Sequence, residues 1–461
     1  MTHWSTILPF KPVLLWTDLL VFALVAGLIG FVLMVRRHAH LRAPWQRVAA
    51  DPVAVGAAVL LLSFTSIALL DSLHYRSALP PGNGGEIHYG AEVRSVLDRL
   101  LRPLAEQQEK TYSAPFAAHL YAREMLSRED GQQIRDYPRL KYGAAHLDDP
   151  GREMLADVAW RGLIGALGGA AIWLIVYGLF GRTGARPGGS ARRAALYTLL
   201  AICLGTGFIA SLAPYYHVLG TDKVGQDVLY ATLKSVRTGI LIGALTTLVT
   251  LPLSIGLGVS AGYFGGRVDD AVQYVYTTLN AIPGVLLIAA AVLIMQTQME
   301  SHPDWFETGA ERADLRLLFL CLILGMTSWT GLARLLRGET LKVRELDYVM
   351  AARSFGVSNS RILSRHVLPN VQHIVLISVV MDFSGLVLAE AVLSYVGVGV
   401  DPSMYSFGNM INGARLELAR EPVVWWQLAA AFSFMFVLVL AANLFADSVR
   451  DALDPRSRRQ T

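Results

Sequence analysis

One inner stretch decides how the whole chain is read: Asp347-Tyr348-Val349-Met350-Ala351-Ala352-Arg353-Ser354-Phe355-Gly356, followed by Arg365-His366-Val367-Leu368-Pro369-Asn370. Leu346 to Phe355 favours a short helix, which Gly356 is suited to end in a left-handed cap. Ser358 predicts the N-cap of a second short helix running to Val367. Pro369 predicts a stop or bend before the next segment. The small side chains of Ala351 and Ala352 permit close approach by another surface, and Arg353, Arg361 and Arg365 supply charged contacts. The product is a pair of short helices forming a knob shaped to dock.

This knob lies between long apolar runs. Of 461 residues, 53% are hydrophobic and only 16% charged, against about 25% charged in soluble domains. The charges collect between uncharged stretches, the pattern of membrane spans joined by polar loops. Nine spans are predicted near 14–35, 53–70, 159–180, 196–213, 239–262, 271–295, 315–333, 374–398 and 423–446. The first is too long for a signal-peptide core and reads as a retained helix.

Lys and Arg set the direction. With the C-terminus in the cytoplasm, the inner loops 36–52, 181–195, 263–270, 334–373 and 447–461 hold 20 Lys and Arg. The short outer segments 1–13, 214–237, 296–316 and 399–422 hold 8. The N-terminus is therefore expected outside and the C-terminus inside.

Residues 71–158 form a long outer segment. It opens on the turn-rich Pro80-Pro81-Gly82-Asn83-Gly84-Gly85. Val93, Val96, Leu97, Leu100, Leu101 and Leu104 then fall at helical spacing within Ala91–Gln108. A second helical stretch is expected around Phe116–Leu126, making a solvated helical cap. Two modules follow: an amino-terminal extension over 1–195, with three spans and the cap 71–158, and a six-span core over 196–461 containing the loop 334–373. Arg182–Arg193, rich in Gly and Arg, links them.

Several chemistries are excluded or unsupported. There is no Gly-x-x-x-x-Gly-Lys-Ser/Thr sequence to cradle nucleotide phosphates. Cys203 and Cys321 lie in apolar runs without metal-ligand spacing and read as small buried hydrophobes. The histidines are scattered and form no metal site. A net charge of +4 with no basic stripe interleaved with aromatics gives no nucleic-acid partner. Asp382 and Glu390 fall inside the eighth span, where ionisable groups are costly and face protein or a wet cavity. Two roles fit them: a hydrogen bond pinning two helices, or the border of a translocation path. Gly165-x-x-x-Gly169 and Gly258-x-x-x-Gly262 suit close helix packing, within this chain or between chains.

The inner stretch resembles the EAA loop of ATP-binding-cassette (ABC) importer permeases: two alanines, a glycine four residues on, and Leu-Pro beyond. Its fuller form, Tyr348-x-x-Ala351-Ala352-Arg353-x-x-Gly356 with Arg365-His366-x-Leu368-Pro369-Asn370, is similar to the dipeptide, oligopeptide and nickel permease family, in its C-type subunit. Met350 stands where the general motif has Glu. The resemblance runs over 217–456: His217 to Leu229, with Gln226 in place of Arg; Gly262-Tyr263-Phe264-Gly265-Gly266-Arg267-Val268-Asp269, with Asp269 and Asp270 suited to cap the next helix; Glu390 to Gly399; Phe407 in place of Trp, before Gly408-Asn409-Met410; and Asn443 to Pro455.

The predicted spans give an all-α integral membrane protein of about nine transmembrane helices; the resemblance implies a type I ABC importer permease core over the last six, and the three added spans with the helical periplasmic cap depart from the family. The resemblance also implies a bacterial inner-membrane location and transport of peptides or similar small solutes, with no ATPase site and no cofactor in this chain. ATP would be bound by two partner subunits. Further implied partners are a homologous second permease, a periplasmic substrate-binding protein and the lipid bilayer. Tyr348, Ala351, Ala352, Arg353, Gly356, Arg361, Arg365, His366 and Pro369 would then couple to the ATPase. An ion-coupled secondary transporter would need broken helices and ion ligands at mid-membrane, and a membrane sensor using the cap would need an output domain that the short inner loops do not hold.

Overall fold

A computed structural model describes residues 10–79, 88–90, 92–127, 133–181, 189–306 and 308–453. The Pro80–Gly85 turn, Ala91, the first part of the linker and the final Asp454-Pro455 lie outside them. In chain order the elements are β1 (Phe10–Val13), α1 (Trp16–Arg37), α2 (Ala39–Val48), α3 (Pro52–Asp71), β2 (His74–Ser77), β3 (Arg94–Ser95), α4 (Val96–Leu100), α5 (Arg102–Glu106), β4 (Glu124–Ser127) and β5 (Gln133–Asp136). The long helices follow: α6 (Pro150–Gly181), α7 (Gly189–Leu212), α8 (Val228–Phe264), α9 (Gly266–Ala281), α10 (Gly284–Ser301), α11 (Gly309–Ser328) and α12 (Thr330–Val343). The chain closes with α13 (Asp347–Ser354), α14 (Asn359–Ile362), a π-turn (Leu363–Val367), α15 (Leu368–Tyr395), α16 (Phe407–Glu417) and α17 (Trp426–Leu453).

Among the described residues, nine helical runs are long and apolar enough to cross a membrane. Two compact units emerge: Met1–Leu14, Ala49–Gly239 and Met404–Ala441 in the first; Leu15–Val48, Ile240–Ser403 and Ala442–Thr461 in the second. Each takes residues from both sides of position 195.

In the first unit, Asp51 starts α3 by accepting hydrogen bonds from the Val53 and Ala54 amides, with Pro52 as the first helical residue. Helices α6 and α7 run antiparallel at very short range. A Cβ on Gly165 would strike the Gly207 carbonyl, and one on Gly169 would strike the Cys203 carbonyl. The Gly165–Gly169 pair therefore serves packing inside this chain. Ser211 Oγ donates to the Arg161 carbonyl at 2.9 Å, and Trp173 Nε1 to the Leu196 carbonyl at 2.9 Å.

The 71–158 segment departs from the helical cap expected of it. Antiparallel β1, β2 and β3 form a small sheet, with Phe10 opposite Ser77 and His74 opposite Ser95. A second hairpin pairs β4 with β5. The single helix expected over Ala91–Gln108 is two five-residue helices. Ser95 and Asp98 form a reciprocal capping box that begins α4 only at Val96. Pro103, which has no amide to donate, then forces a restart at Arg102. The helix expected around Phe116–Leu126 is absent because Phe116 takes a positive φ of 56° after Pro115. Its amide is spent on the His217 carbonyl at 3.0 Å. Long-range bonding to the 214–227 loop has displaced local helical pairing. Leu104, Ala118, Leu147, Leu212, Tyr216 and Leu229 make the core beneath.

In the second unit the span expected at 271–295 is interrupted. Pro283 cannot donate into a helix and pushes Ile282 to an extended backbone (φ −91°, ψ 130°). The amphipathic α9 therefore ends at Ala281, and α10 alone is the apolar span. Gly265 and Gly266 do adopt positive φ, but Asp269 does not cap α9. Its carboxylate instead takes Arg337, with Nη2 at 2.6 Å, and Asp270 likewise leaves the cap without a side-chain bond. Gly258 and Gly262 lie against the backbone of Ala333 and Arg337, so this pair too serves packing within the chain. Thr17 of α1 donates from both amide and hydroxyl to the Asp314 carboxylate of α11.

Candidate functional site

The knob over 347–370 is built by local rules. Helix α13 ends at Gly356, whose φ of +74° suits glycine far better than any β-branched residue. The Gly356 amide donates to the Arg353 carbonyl and the Val357 amide to the Ala352 carbonyl, both at 3.1 Å. That double closure is a Schellman motif, with Val357 and Ala352 turned to the same apolar cluster.

Ser358 begins α14 through its backbone: its carbonyl accepts from Arg361 and Ile362, and its side chain makes no cap bond. Of the stop or bend expected at Pro369, the stop does not occur. A π-turn over Leu363–Val367 widens the helix just before Pro369, and the helical run continues from Asn359 to Tyr395. Widening relieves the clash between a proline ring and the carbonyl four residues earlier, and removes the need for its missing amide.

Apolar burial fixes the knob to its own transmembrane helices. Val349, Ile362, Val367 and Val371 are buried with Val259, Leu332, Leu336 and Val343 in one cluster. Polar clamps surround it: Tyr263 Oη donates to Asn359 Oδ1 at 3.0 Å, Asn370 Nδ2 to Tyr348 Oη at 2.9 Å, and Arg344 to the Gly262 carbonyl at 3.2 Å. The rings of Tyr348 and His366 lie 5.9 Å apart. Tyr348, His366 and Asn370 thus form one corner.

Of the residues singled out from sequence, Tyr348, Ala351, Arg353, Gly356, Arg361, Arg365 and Pro369 are exposed, while Ala352 and His366 are half-buried. None of Arg353, Arg361 and Arg365 has an ion-pair partner among the described residues. The sequence reading overlooked Phe355. Its ring is 86% exposed at the tip, and its only sequence signal was an apolar residue immediately before a helix-ending glycine.

Asp382 and Glu390 are not gathered into one group. Eight residues along α15 separate them by about 12 Å of helical rise. Asp382 is half-buried, whereas Glu390 is 1% exposed and accepts from Ser394 Oγ at 2.7 Å. Ser394 Oγ in turn accepts from the Val400 amide at 3.3 Å. This chain of bonds supports the end of α15, where Gly397 closes a second left-handed cap.

A buried charge centre joins the 71–158 segment to the 214–227 loop within the first unit, and it too escaped the sequence reading. His217 Nδ1 meets Asp227 Oδ2 at 2.8 Å, and its Nε2 lies 3.5 Å from Glu109 Oε1. Asp227 also starts α8 by accepting from the Leu229 and Tyr230 amides. Glu109 accepts from the amides of Lys141, Tyr142 and Gly143. Burial opposes charge on His217, but the two carboxylates outweigh it and raise its pKa to about 9. Burial likewise opposes charge on Glu109, and His217 with the three amides lowers it to about 2. A neighbouring centre joins Lys234 Nζ to Asp71 at 2.7 Å and Asp98 at 2.8 Å. Gly225 (φ +77°) passes so close to Glu109 that a Cβ would strike its carbonyl.

Residues 254–459 match the family described as binding-protein-dependent transport system inner membrane component. The chain is 33% identical over 242 residues to the oligopeptide transport system permease protein OppC of Mycobacterium tuberculosis (strain ATCC 25618 / H37Rv), covering 52% of this chain and 77% of that protein. It is 29% identical over 241 residues to the dipeptide transport system permease protein DppC of Lactococcus lactis subsp. cremoris (52% and 64%). The glutathione transport system permease protein GsiD of Pectobacterium atrosepticum is 33% identical over 242 residues (52% and 73%). A chain of the MetNI methionine ABC transporter, solved in inward facing conformations, aligns at 14% identity with a TM-score of 0.37, over 49% of this chain and 98% of that one.

Proposed function

The chain belongs to the family of binding-protein-dependent transport system inner membrane components, and from that premise we propose that it forms the translocation path of an ATP-driven importer of peptides or similar small solutes. The observation that carries this is the knob at 347–370. It lies within the matched family region, its tip is exposed, and its base is buried among α8, α12 and α15. A docked ATPase subunit closing on ATP would push on Phe355, Tyr348 and the three arginines. The shared apolar cluster would pass that displacement to the spans as a rigid-body change between two states.

The partners follow from this reading: a second permease, two ATP-binding subunits that hold the nucleotide, and a substrate-binding protein on the outer face. The ion-coupled and sensor readings gain nothing from the relatives. The N-terminus lies outside and the C-terminus in the cytoplasm. A single cysteine placed at His366 is expected to react with an impermeant maleimide only in inside-out vesicles. Labelling of right-side-out cells would put the knob on the wrong side and end the importer reading.

Lys234 and His217, which precede the matched family region, are held by Asp71, Asp98 and Glu109 of the extension. That grip supports a cap that shapes the docking face for the binding protein. Asp382 and Glu390 border the path, Glu390 from inside the protein. In cells lacking the chromosomal copy, the wild-type chain is expected to restore uptake of labelled di- or oligopeptides. Glu390→Gln keeps an acceptor for Ser394 but removes the charge, so uptake is expected to drop several-fold at equal membrane abundance. Unchanged uptake would leave Glu390 as a helix pin alone.

A further inference from the structure

The membrane-proximal helix α2 has no place in the coupling scheme, yet its chemistry is specific. Helix α1 is a 22-residue apolar span with only 6% of its apolar window buried in protein, and Leu28, Ile29, Leu33 and Met34 are exposed along it. Its sides therefore face lipid, which fixes Arg36 and Arg37 at the depth where hydrocarbon gives way to headgroups. The chain turns at His38, whose backbone is extended (φ −111°, ψ 113°), and α2 begins at once.

Within α2, Leu41, Pro44, Trp45 and Val48 fall at i, i+3, i+4 and i+7, one apolar stripe. Trp45 folds back onto Phe31 of α1, with ring centroids 5.8 Å apart, and Val48 is buried. This holds α2 close to the end of α1. Arg42, Gln46 and Arg47 occupy exposed positions away from that stripe. From Leu19 to Ala50 the sequence contains no Asp or Glu. Arg36, Arg37, Arg42 and Arg47 are exposed and have no ion-pair partner among the described residues.

We propose that α2, with the last turn of α1, is an interfacial helix that binds the phosphates of anionic lipid headgroups. Four uncompensated guanidiniums at the edge of a span, beside an apolar stripe bearing Trp, match that surface in both charge and polarity. Arginine also offers a planar fork to phosphate oxygens. The reading stands whichever way the chain crosses the membrane, since it needs only the headgroup layer next to Arg37.

The test uses the full chain carrying Gln46→Cys in a Cys203→Ser background, where the remaining Cys321 is fully buried. The new cysteine bears an environment-sensitive fluorophore, and the protein is placed in phosphatidylcholine nanodiscs with rising phosphatidylglycerol. A saturating blue shift is expected, reversed by about 0.5 M NaCl, where screening acts over only a few ångströms. Replacing all four arginines by Gln is expected to abolish the shift across the accessible phosphatidylglycerol range, since roughly fivefold per basic residue at a charged surface compounds to about several hundredfold for four. Replacing them by Lys should retain most of the response. An equal response in wild type and the four-Gln variant would overturn the proposal. So would a shift that appears in pure phosphatidylcholine only when ATPase subunits are added, which would make α2 a protein-docking face.

Discussion

Phe355→Asp is expected to abolish ATP-driven uptake while leaving the chain folded and at normal abundance in the membrane. The ring stands 86% exposed beyond the Schellman cap, so changing it removes nothing from the apolar cluster beneath. A large aromatic held in water at the tip of a rigid turn is the kind of group that anchors an interface, where truncation costs about 2 kcal/mol or more. Capture of the ATPase subunit should therefore weaken by about thirtyfold or more. Pull-down, uptake and a thermal midpoint measured on the same preparations separate docking from folding. Wild-type capture by Phe355→Asp would mean that the ring is not the anchor. Gly356→Val is the companion variant: it strains a backbone at φ +74° by about 1–2 kcal/mol and should tilt the tip rather than remove it.

The second large effect is expected at His217. Removing one member of a buried charge cluster leaves the others uncompensated, at a cost of about 3–5 kcal/mol. His217→Gln can still donate to Asp227 but cannot answer the charge of Glu109, so the part of the first unit around this cluster should lose much of its thermal stability. The same centre sets a pH dependence. With its pKa raised from 6.5 to about 9, His217 contributes stability that is complete below about 6.5 and is lost as pH rises through 9. Glu109, lowered from 4.5 to about 2, contributes above about 4.5 and is lost as pH falls through 2. The facing charges are Asp227 and Glu109, with the amides of residues 141–143 behind them. A thermal midpoint that declines between pH 6.5 and 9 in the wild type, and stays flatter in His217→Gln, is the expected result. Matching profiles would remove the protonated imidazole from the account.

These two sites differ in how visible they were. The knob could be read because its determinants are local: a glycine where the chain must turn left-handed, small residues before it, and a serine that starts the next turn. Even there, the stop that Pro369 suggested does not occur. A proline ends a regular helix, but a π-turn upstream absorbs the missing amide, and that turn has no signature in residue type. The nine apolar runs were legible because bilayer thickness dictates length, apart from 271–295, where Pro283 divides one apolar pattern into an amphipathic helix and a span. The cap was not legible. Val93 to Leu104 has helical spacing, yet Ser95, Asp98 and Pro103 cut it into pieces, and the backbone around Ser113 to Phe116 bonds to the distant 214–227 loop. His217 stood out only as the first residue of a matching segment, and nothing in the sequence ties it to Glu109, far away in the chain. Periodicity reports which face is apolar; it does not report which remote backbone will claim the local amides.

The unbroken helical run from Asn359 to Tyr395 is 37 residues long and spans about 55 Å. Moved as one body it would be a crowbar: a tilt of about 10° at its base would sweep the far end sideways by about 10 Å on that length. The far end is where Glu390, Ser394 and Val400 are bonded together, so on the proposed coupling a small displacement at one end of this run would reach the other as a stroke wide enough to admit a small molecule.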